Sequence, residues 1–396
     1  MSKLLSHHLS LADFEISARK LLPKPLYAYV QGGVEDNLTL YANRQAFDDY
    51  FLKPNVLVDV STRDISVDLF GHRYSAPVGI APMGIAALTG YRGDLSLAQA
   101  AAAANVPFVM SGSSLIRQEE VVDAAPNIWF QAYLPGDTVQ IAPLIERVRK
   151  AGVKTLVITV DTPVKANREN NVRAGFSTPL RPSVALAYQG VTHPRWLFGT
   201  FLRTLVKYGM PYFENNCATR GAPALSASVV RDFTDRGHLN WEHVRQIRQQ
   251  WPGAMVIKGV LQAADAARCK QIGIDGIVVS NHGGRQIDGS VPPLYVLPEI
   301  VEASGAMLVM ADSGIRRGTD VIKAIAFGAK ATFIGRPFNY ASAVAGQAGV
   351  AHAIDLIVAE VRRDVGMLGL TGLTGINQDL LVRRQVLAHW RERDIN

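Results

Sequence analysis

The sequence predicts a (β/α)8 barrel with an N-terminal extension and one long insertion, and three observations predict it. First, short β-branched apolar runs alternate with alanine-rich or amphipathic stretches eight times in succession, starting near Pro77. Second, the runs are apolar at every position rather than at alternate ones, which is the pattern of parallel strands covered by helices. Third, polar residues gather at the C-terminal ends of these runs, where such barrels carry their chemistry. A doubly wound sheet would also explain the alternation, but no GxGxxG turn follows an early strand.

In order, the strands read "VGIAP" (78–82), "PFVMS" (107–111), "IWFQAY" (128–133), "TLVITV" (155–160), "MVIKG" (255–259), "GIVVS" (276–280), "MLVMA" (307–311) and "TFIG" (332–335). Helical patterns fall between them at Leu95–Ala104, Val139–Ala151, Trp241–Gln250, Ala263–Ile272 and Thr319–Phe327. Residues 1–76 precede the barrel and are expected to form a helical extension packed on it, with 77–396 as the barrel. Residues 162–240 separate the fourth and fifth strands. A structureless loop of that length is uncommon, so the insertion is expected to be a lid, or a membrane or interface element.

The chain has 396 residues, 48% of them hydrophobic and 19% charged, enough for a large core. Its formal charge of +7 is spread along the sequence. That distribution favours small anionic ligands or a membrane surface, and no basic run interleaved with aromatics points to nucleic acid. Cys217 and Cys269 lie far apart without CxxC spacing. A disulfide framework and a structural zinc site are therefore not expected, and a reducing compartment is. The N-terminus lacks a secretory apolar run, and no run of about 18 apolar residues marks a spanning helix. The expected location is the cytoplasm, with a peripheral place on the inner face of the cell membrane as the alternative.

The polar strand ends are Met83-Gly84, Ser111, Gln131 with Tyr133, Thr159 with Asp161, Lys258, Ser280 with His282, Asp312, and Gly335-Arg336. Any one of them reads equally well as a strand or helix cap; a near-complete circle reads as a site. After the last two strands come "ADSGIRRGTD" and "IGRP". Their glycines permit close backbone approach, the following helix starts offer free N–H groups, and Arg316 and Arg336 supply forked donors for a phosphate. Gln131, Thr159, Ser280 and Lys258 would then face a polar planar ring, which points to flavin mononucleotide (FMN), with the lysine charge stabilising an anionic reduced ring. In "VVSNHGGRQIDG", His282 is a candidate base, and Asp161 is the carboxylate best placed to fix its tautomer. Arg285, past two glycines, and Arg168, after the fourth strand, are candidate carboxylate clamps. Tyr27 and Tyr133 are candidate donors to a substrate oxygen.

These residues resemble the FMN-dependent 2-hydroxy acid oxidases and dehydrogenases. The resemblance runs from "LPKPLYAYVQGGVED" through "WFQAY", "TLVITVDTP", "VIKGV" and "GIDGIVVSNHGGRQIDG" to "DSGIRRGTDVIKAIAFGA" and "FIGRPFNYA". It implies that His282 is the base, oriented by Asp161, and that Tyr27, Tyr133, Arg168 and Arg285 hold the substrate. FMN would contact Pro82, Met83, Gly84, Ser111, Gln131, Thr159, Lys258 and Ser280, with its phosphate among Asp312, Ser313, Gly314, Ile315, Arg316, Gly335 and Arg336. The implied reaction takes an L-2-hydroxy acid, mandelate- or lactate-like, to its 2-oxo acid without a metal, in a homotetramer. A carbanion-like route and hydride transfer both stay open. The chain departs from the family pattern at Met83, often Thr, and at Ser113, where some members carry a tryptophan that narrows the pocket. Lys165 and Asn171 in "VKANRENN" are also atypical. These departures bear on the substrate rather than on the reaction class.

The insertion carries "THPRWLFGTFLRTLVKYGMP", similar to the equivalent segment of a membrane-bound member of that family. Leu197, Phe198, Phe201, Leu205 and Tyr208 are expected on one helical face, so residues 195–210 could lie in a bilayer interface and meet a quinone. A soluble oxidase passing its electrons to O2 is the alternative, and a non-catalytic flavin- or anion-binding protein is the second.

Overall fold

The computed structural model describes residues 5–228 and 236–384. Its centre is a ring of eight parallel strands: β1 (Val78–Ile80), β2 (Val109–Ser111), β3 (Trp129–Ala132), β4 (Thr155–Thr159), β5 (Ala254–Val260), β6 (Gly276–Val279), β7 (Leu308–Ala311) and β8 (Ala331–Ile334). Neighbours pair in sequence from β2 to β8, and β8 pairs with β1. A bridge between Ile80 and Phe108, with the Ile80 N–H donating to Pro107 O at 2.8 Å, closes β1 on β2. The result is a closed barrel, as the alternating pattern predicted.

Strand alternation explains why the runs read as apolar throughout. Val109, Trp129, Val157, Val256, Val278, Met310 and Phe333 fill the barrel interior. Their strand neighbours Met110, Phe130, Leu156, Ile257, Ile277 and Val309 pack outward against the helices. Both faces of every strand are therefore dry, and neither admits a polar period. The helix Ile141–Lys150 shows the matching pattern, burying Ile141, Leu144, Ile145 and Val148 along one stripe. A hairpin, Val67–Leu69 with His72–Tyr74, closes the bottom of the barrel. Leu69 and Tyr74 join the interior cluster, and the Trp129 indole donates to the Tyr74 hydroxyl at 3.0 Å.

The extension holds three helices, Leu11–Leu21, Lys24–Gln31 and Leu38–Asp48. It is not helical throughout. Besides the hairpin, Tyr50–Leu52 pairs antiparallel with Leu381–Arg383 from the far end of the chain, a partnership no local window reveals. The helical segment Arg336–Met367 is long and apolar enough to cross a membrane by composition. It breaks, however, at Ala345 and Gly346, and its apolar residues from Phe338 to Val365 pack into the core, which makes it two barrel helices.

The insertion carries helices at Glu169–Arg173, Val184–Thr192 and from Pro194 to Tyr208. The expected apolar face is only partly right. Leu197 and Phe201 pack on the core, with Phe201 stacked on the buried Trp196. A π-helical turn over Leu197–Leu202 shifts the phase, so that Phe198, Val206 and Tyr208 are the exposed apolar residues. Val184, Tyr188 and Val191 of the preceding helix are exposed with them.

Candidate active site

The C-terminal ends of the strands open into one cavity of about 730 Å³. Tyr133, Arg168, Lys258, His282 and Arg285 line it, as do Pro82, Met83, Gly84, Thr159, the run from Asp312 to Arg316, and Gly335-Arg336. Asp161, Ser111, Gln131 and Ser280 are largely or fully buried and sit behind that lining. Tyr27 is the exception among the expected site residues. Its hydroxyl donates to Glu15 at 3.2 Å and its ring lies by Tyr340, away from the cavity. Tyr29, two residues on, takes the place expected of it, with the Arg285 guanidinium 5.1 Å from its ring centre and Phe176 stacked on it at 4.5 Å. Two tyrosines spaced i, i+2 point to opposite sides of a helix, so the cavity could take only one.

His282 leaves β6 in a left-handed turn, with φ of 59° followed by 67° and 73° at Gly283 and Gly284. A side chain at Gly284 would lie 2.6 Å from the Leu40 backbone, so only glycine permits this turn against the extension. The turn is also tied from its base. Asn281 and Asn43 exchange amide hydrogen bonds of 2.8 and 2.6 Å, and Asn281 Oδ1 accepts from the Gly284 N–H at 3.1 Å. The imidazole Nδ1 lies 2.9 Å from Asp161 Oδ1, and Nε2 faces the Tyr133 hydroxyl at 3.5 Å. With Nδ1–H held by the carboxylate, Nε2 keeps its lone pair toward the cavity.

Burial pushes His282 below the ordinary imidazole value, against the upward pull of Asp161. Burial by itself would raise the Asp161 carboxyl, but His282, Lys258 and Arg168 outweigh it and hold the group ionised. Asp161 comes this close because β5 is irregular at Gly259, whose φ is 110°. A Cβ there would sit 2.7 Å from the Asp161 Cβ. Sequence reasoning passed over Gly259 because a glycine ending a strand has no local signature of this duty.

The arginines give the cavity its charge. Arg285 donates to Gly32 O at 2.7 Å, Arg336 donates to the same oxygen at 3.1 Å and to Val30 O at 2.9 Å, and Arg316 donates to Ile315 O. Among the described residues none of these three, nor Arg168, has a carboxylate partner. Burial, then Arg168 and Arg336, push Arg285 down to about 9, and burial with Arg316 brings Arg336 to about 10. Buried cations that depress one another call for anions between them. Lys258 differs. Burial would lower it, but Asp312, 3.0 Å away, and Asp161 keep it charged, and it donates to Ser280 Oγ at 2.8 Å.

Gln131 Nε2 and Thr159 Oγ1 are buried with no partner among the described residues. Buried polar atoms are nearly always satisfied, so this pair on neighbouring strands looks for a ligand with hydrogen-bonding edges. A flavin ring fits that demand, and the arginine corner at the ends of β7 and β8 fits its phosphate.

A model of the FMN-dependent dehydrogenases matches residues 18–383. The chain belongs to the FMN-dependent dehydrogenase family. It is 38% identical over 380 residues to an L-lactate dehydrogenase of Ectopseudomonas mendocina, covering 94% of this chain and 98% of the relative. It is 35% identical over 370 residues to an (S)-mandelate dehydrogenase of Pseudomonas putida, covering 93% and 92%. The crystal structure of the monotopic membrane protein (S)-mandelate dehydrogenase superposes with a TM-score of 0.85 at 34% identity, over 95% of this chain and 99% of that one. FMN is accordingly the cofactor of this dehydrogenase.

Proposed function

We propose that this dehydrogenase oxidises an L-2-hydroxy acid to the 2-oxo acid, with His282 as base, and delivers the electrons to a membrane quinone. The observation that carries the reading is the Asp161–His282 pair facing a cavity whose Arg285 and Arg168 lack carboxylate partners among the described residues. Arg285 receives the substrate carboxylate, with Arg168 alongside, its Nε 3.2 Å from Arg285 O. Tyr133 and Tyr29 donate to the substrate's oxygens. His282 Nε2 accepts a proton from the substrate, and Asp161 stabilises the imidazolium so formed. Lys258 holds a fixed positive charge where negative charge develops. Bound FMN would supply the two-electron acceptor for this oxidation.

The exposed residues Val184, Tyr188, Val191, Phe198 and Val206 support the quinone and a peripheral place on the inner face of the cell membrane. No Asp or Glu occurs between Glu169 and Glu214, whereas Arg173, Arg181, Arg195, Arg203 and Lys207 do. An apolar face inside a purely basic segment suits an anionic bilayer surface. The exposed run Val56–Val58 of the extension supports a homo-oligomer, a tetramer in this proposal. In the same proposal residues 1–76 are a cap, 77–396 the FMN-binding barrel, and 162–240 the membrane and lid element.

Anaerobic mixing with lactate, mandelate, glycolate and longer 2-hydroxy acids tests the reading. At least one should bleach the flavin, and His282→Gln should keep FMN while slowing bleaching by about 10²-fold or more. Bleaching by none, or an unimpaired His282→Gln enzyme, defeats it. Admitting a quinone analogue or O2 afterwards identifies the acceptor, and faster reoxidation by O2 would replace the quinone in the proposal.

A further inference from the structure

One wall of the catalytic cavity and the proposed membrane face are a single piece of chain. Val172, Phe176, Pro179 and Arg181 line the cavity. Three residues past Arg181 stands Val184, 89% exposed, the first residue of the helix Val184–Thr192. Three residues of chain span at most about 11 Å, so the cavity wall and the exposed helix are neighbours whatever path the link takes. We propose that this stretch is a docking track for the apolar tail of a lipophilic quinone, whose ring enters the cavity once the 2-oxo acid has left it, a site that rests on the quinone reading above.

Val172 marks the joint between the two. It lines the cavity and yet is 77% exposed, which puts an apolar side chain on the cavity's lip. Apolar surface runs from it in both directions. Inward, Phe176 is buried and stacks on Tyr29 at 4.5 Å, and the Arg285 guanidinium lies 5.1 Å from the Tyr29 ring centre. Outward, Val184, Tyr188 and Val191 are exposed, and their i, i+4, i+7 spacing sets them on one helix face. The link is fixed. The Leu180 N–H donates to Ala224 O at 2.9 Å, and Leu180 O accepts from the Ser226 N–H at 3.0 Å. Ser183 Oγ caps the helix by accepting from the Leu186 N–H at 3.1 Å. Gln189 Oε1 accepts from the Lys24 N–H at 3.0 Å, at the start of the helix that carries Tyr29. A hydroxy acid reaching the cavity from water has no use for an apolar path that begins outside it. An acceptor dissolved in the bilayer does, and no Asp or Glu between Asn170 and Phe213 repels an anionic lipid surface. The chemistry balances without a further reactant. The hydroxy acid gives up two electrons and two protons, and a quinone takes two of each to become the quinol. One of those protons is the one accepted by His282 Nε2, which faces the cavity that the ring would enter.

The test uses the FMN-loaded enzyme on phosphatidylglycerol–phosphatidylcholine vesicles and two benzoquinones of identical ring, one with a decyl tail and one without. A photoreactive azido form of the tailed quinone should label peptides within residues 172–191. An excess of the 2-oxo acid formed from the best substrate of the panel above should suppress the label at the cavity end. In steady state Val172→Gln should raise the KM for the tailed quinone by about tenfold or more, the scale of one valine side chain withdrawn from an apolar contact. Its effect on the tail-less quinone should be several-fold smaller, and Val172→Leu should keep the wild-type values. Val184→Gln, outside the cavity, should show the same ordering. Label confined to other peptides overturns the proposal. So does an equal effect of Val172→Gln on both quinones, which would make Val172 a contact of the hydroxy acid or the ring. Label that the 2-oxo acid does not displace would set the quinone ring outside the substrate's cavity and overturn the shared entrance. Reaction of the substrate-reduced enzyme with O2 but with neither quinone would instead strike the quinone reading itself.

Discussion

Replacing Gly259 by alanine tests the catalytic pair without touching either member. A Cβ at this position would lie 2.7 Å from the Asp161 Cβ, 2.9 Å from Cγ and 3.0 Å from Oδ2. Ordinary contact begins near 3.4 Å, so Asp161 must retreat by about 0.7 Å unless the barrel strand yields. A retreat of that size takes the 2.9 Å bond to His282 beyond hydrogen-bonding range. Losing a charge-assisted bond costs about 1.5–3 kcal/mol. Expressed in the rate of proton removal, that is about 10- to 100-fold. The φ of 110° adds about 1–3 kcal/mol of backbone strain, which should appear as a lower Tm. Stopped-flow flavin reduction under anaerobic conditions reads the rate, and absorbance after denaturation reads FMN content, expected to stay near one per chain. A Gly259→Ala enzyme that binds FMN and reduces it at the wild-type rate would refute the reasoning, because the pair would then tolerate the intrusion or not matter.

Four further outcomes follow from the structure. A base must be neutral to act, and burial lowers His282, the proposed base, below 6.5, so flavin reduction should rise with pH through a midpoint under that value and level off above it. Asp161→Asn removes the upward pull, so the midpoint should move lower still while the plateau falls; an upward shift would contradict the assignment. Arg285→Met should lower kcat/KM for any 2-hydroxy acid by about 10²- to 10³-fold, the cost of leaving a buried carboxylate without its partner, and unchanged affinity for the 2-oxo acid would remove Arg285 from the clamp. Glutamates at both Phe198 and Val206, which are 66% and 86% exposed, should abolish co-sedimentation with vesicles rich in anionic lipid. Undiminished sedimentation would place the membrane contact elsewhere.

The barrel was legible because its strands are dry on both sides, and an apolar run such as "TLVITV" bounded by polar residues has few other readings. The site was legible for a related reason. Polar residues such as Thr159, Lys258 and Ser280 end runs that otherwise exclude them. What stayed hidden depends on rotation and on distance along the chain. Tyr27 and Tyr29 share a helix and a sequence context, and only packing against Glu15 and Tyr340 on one side and Phe176 on the other tells them apart. Phe198 and Phe201, expected on one face, part because a π-helical turn alters the phase that a 3.6-residue period assumes: Phe201 packs on the core and Phe198 is exposed. Arg236 carries no motif, and its guanidinium nonetheless lies 5.2 Å from the centre of the Tyr133 ring, 103 positions away in sequence.

The antiparallel pairing of Tyr50–Leu52 with Leu381–Arg383 bears on how the enzyme is made. Tyr29 and the Gly32 carbonyl shared by Arg285 and Arg336 belong to the extension, which this pairing fastens to a segment that follows every barrel strand. During synthesis the eight strands can emerge and close while that clasp is still unmade, because domains form as their residues become available. The arginine cluster is then assembled before the wall that braces it is locked down. Competence for chemistry thus arrives late in translation, and a chain cut short before Leu381 would retain its barrel yet leave its catalytic cavity poorly sealed along one side.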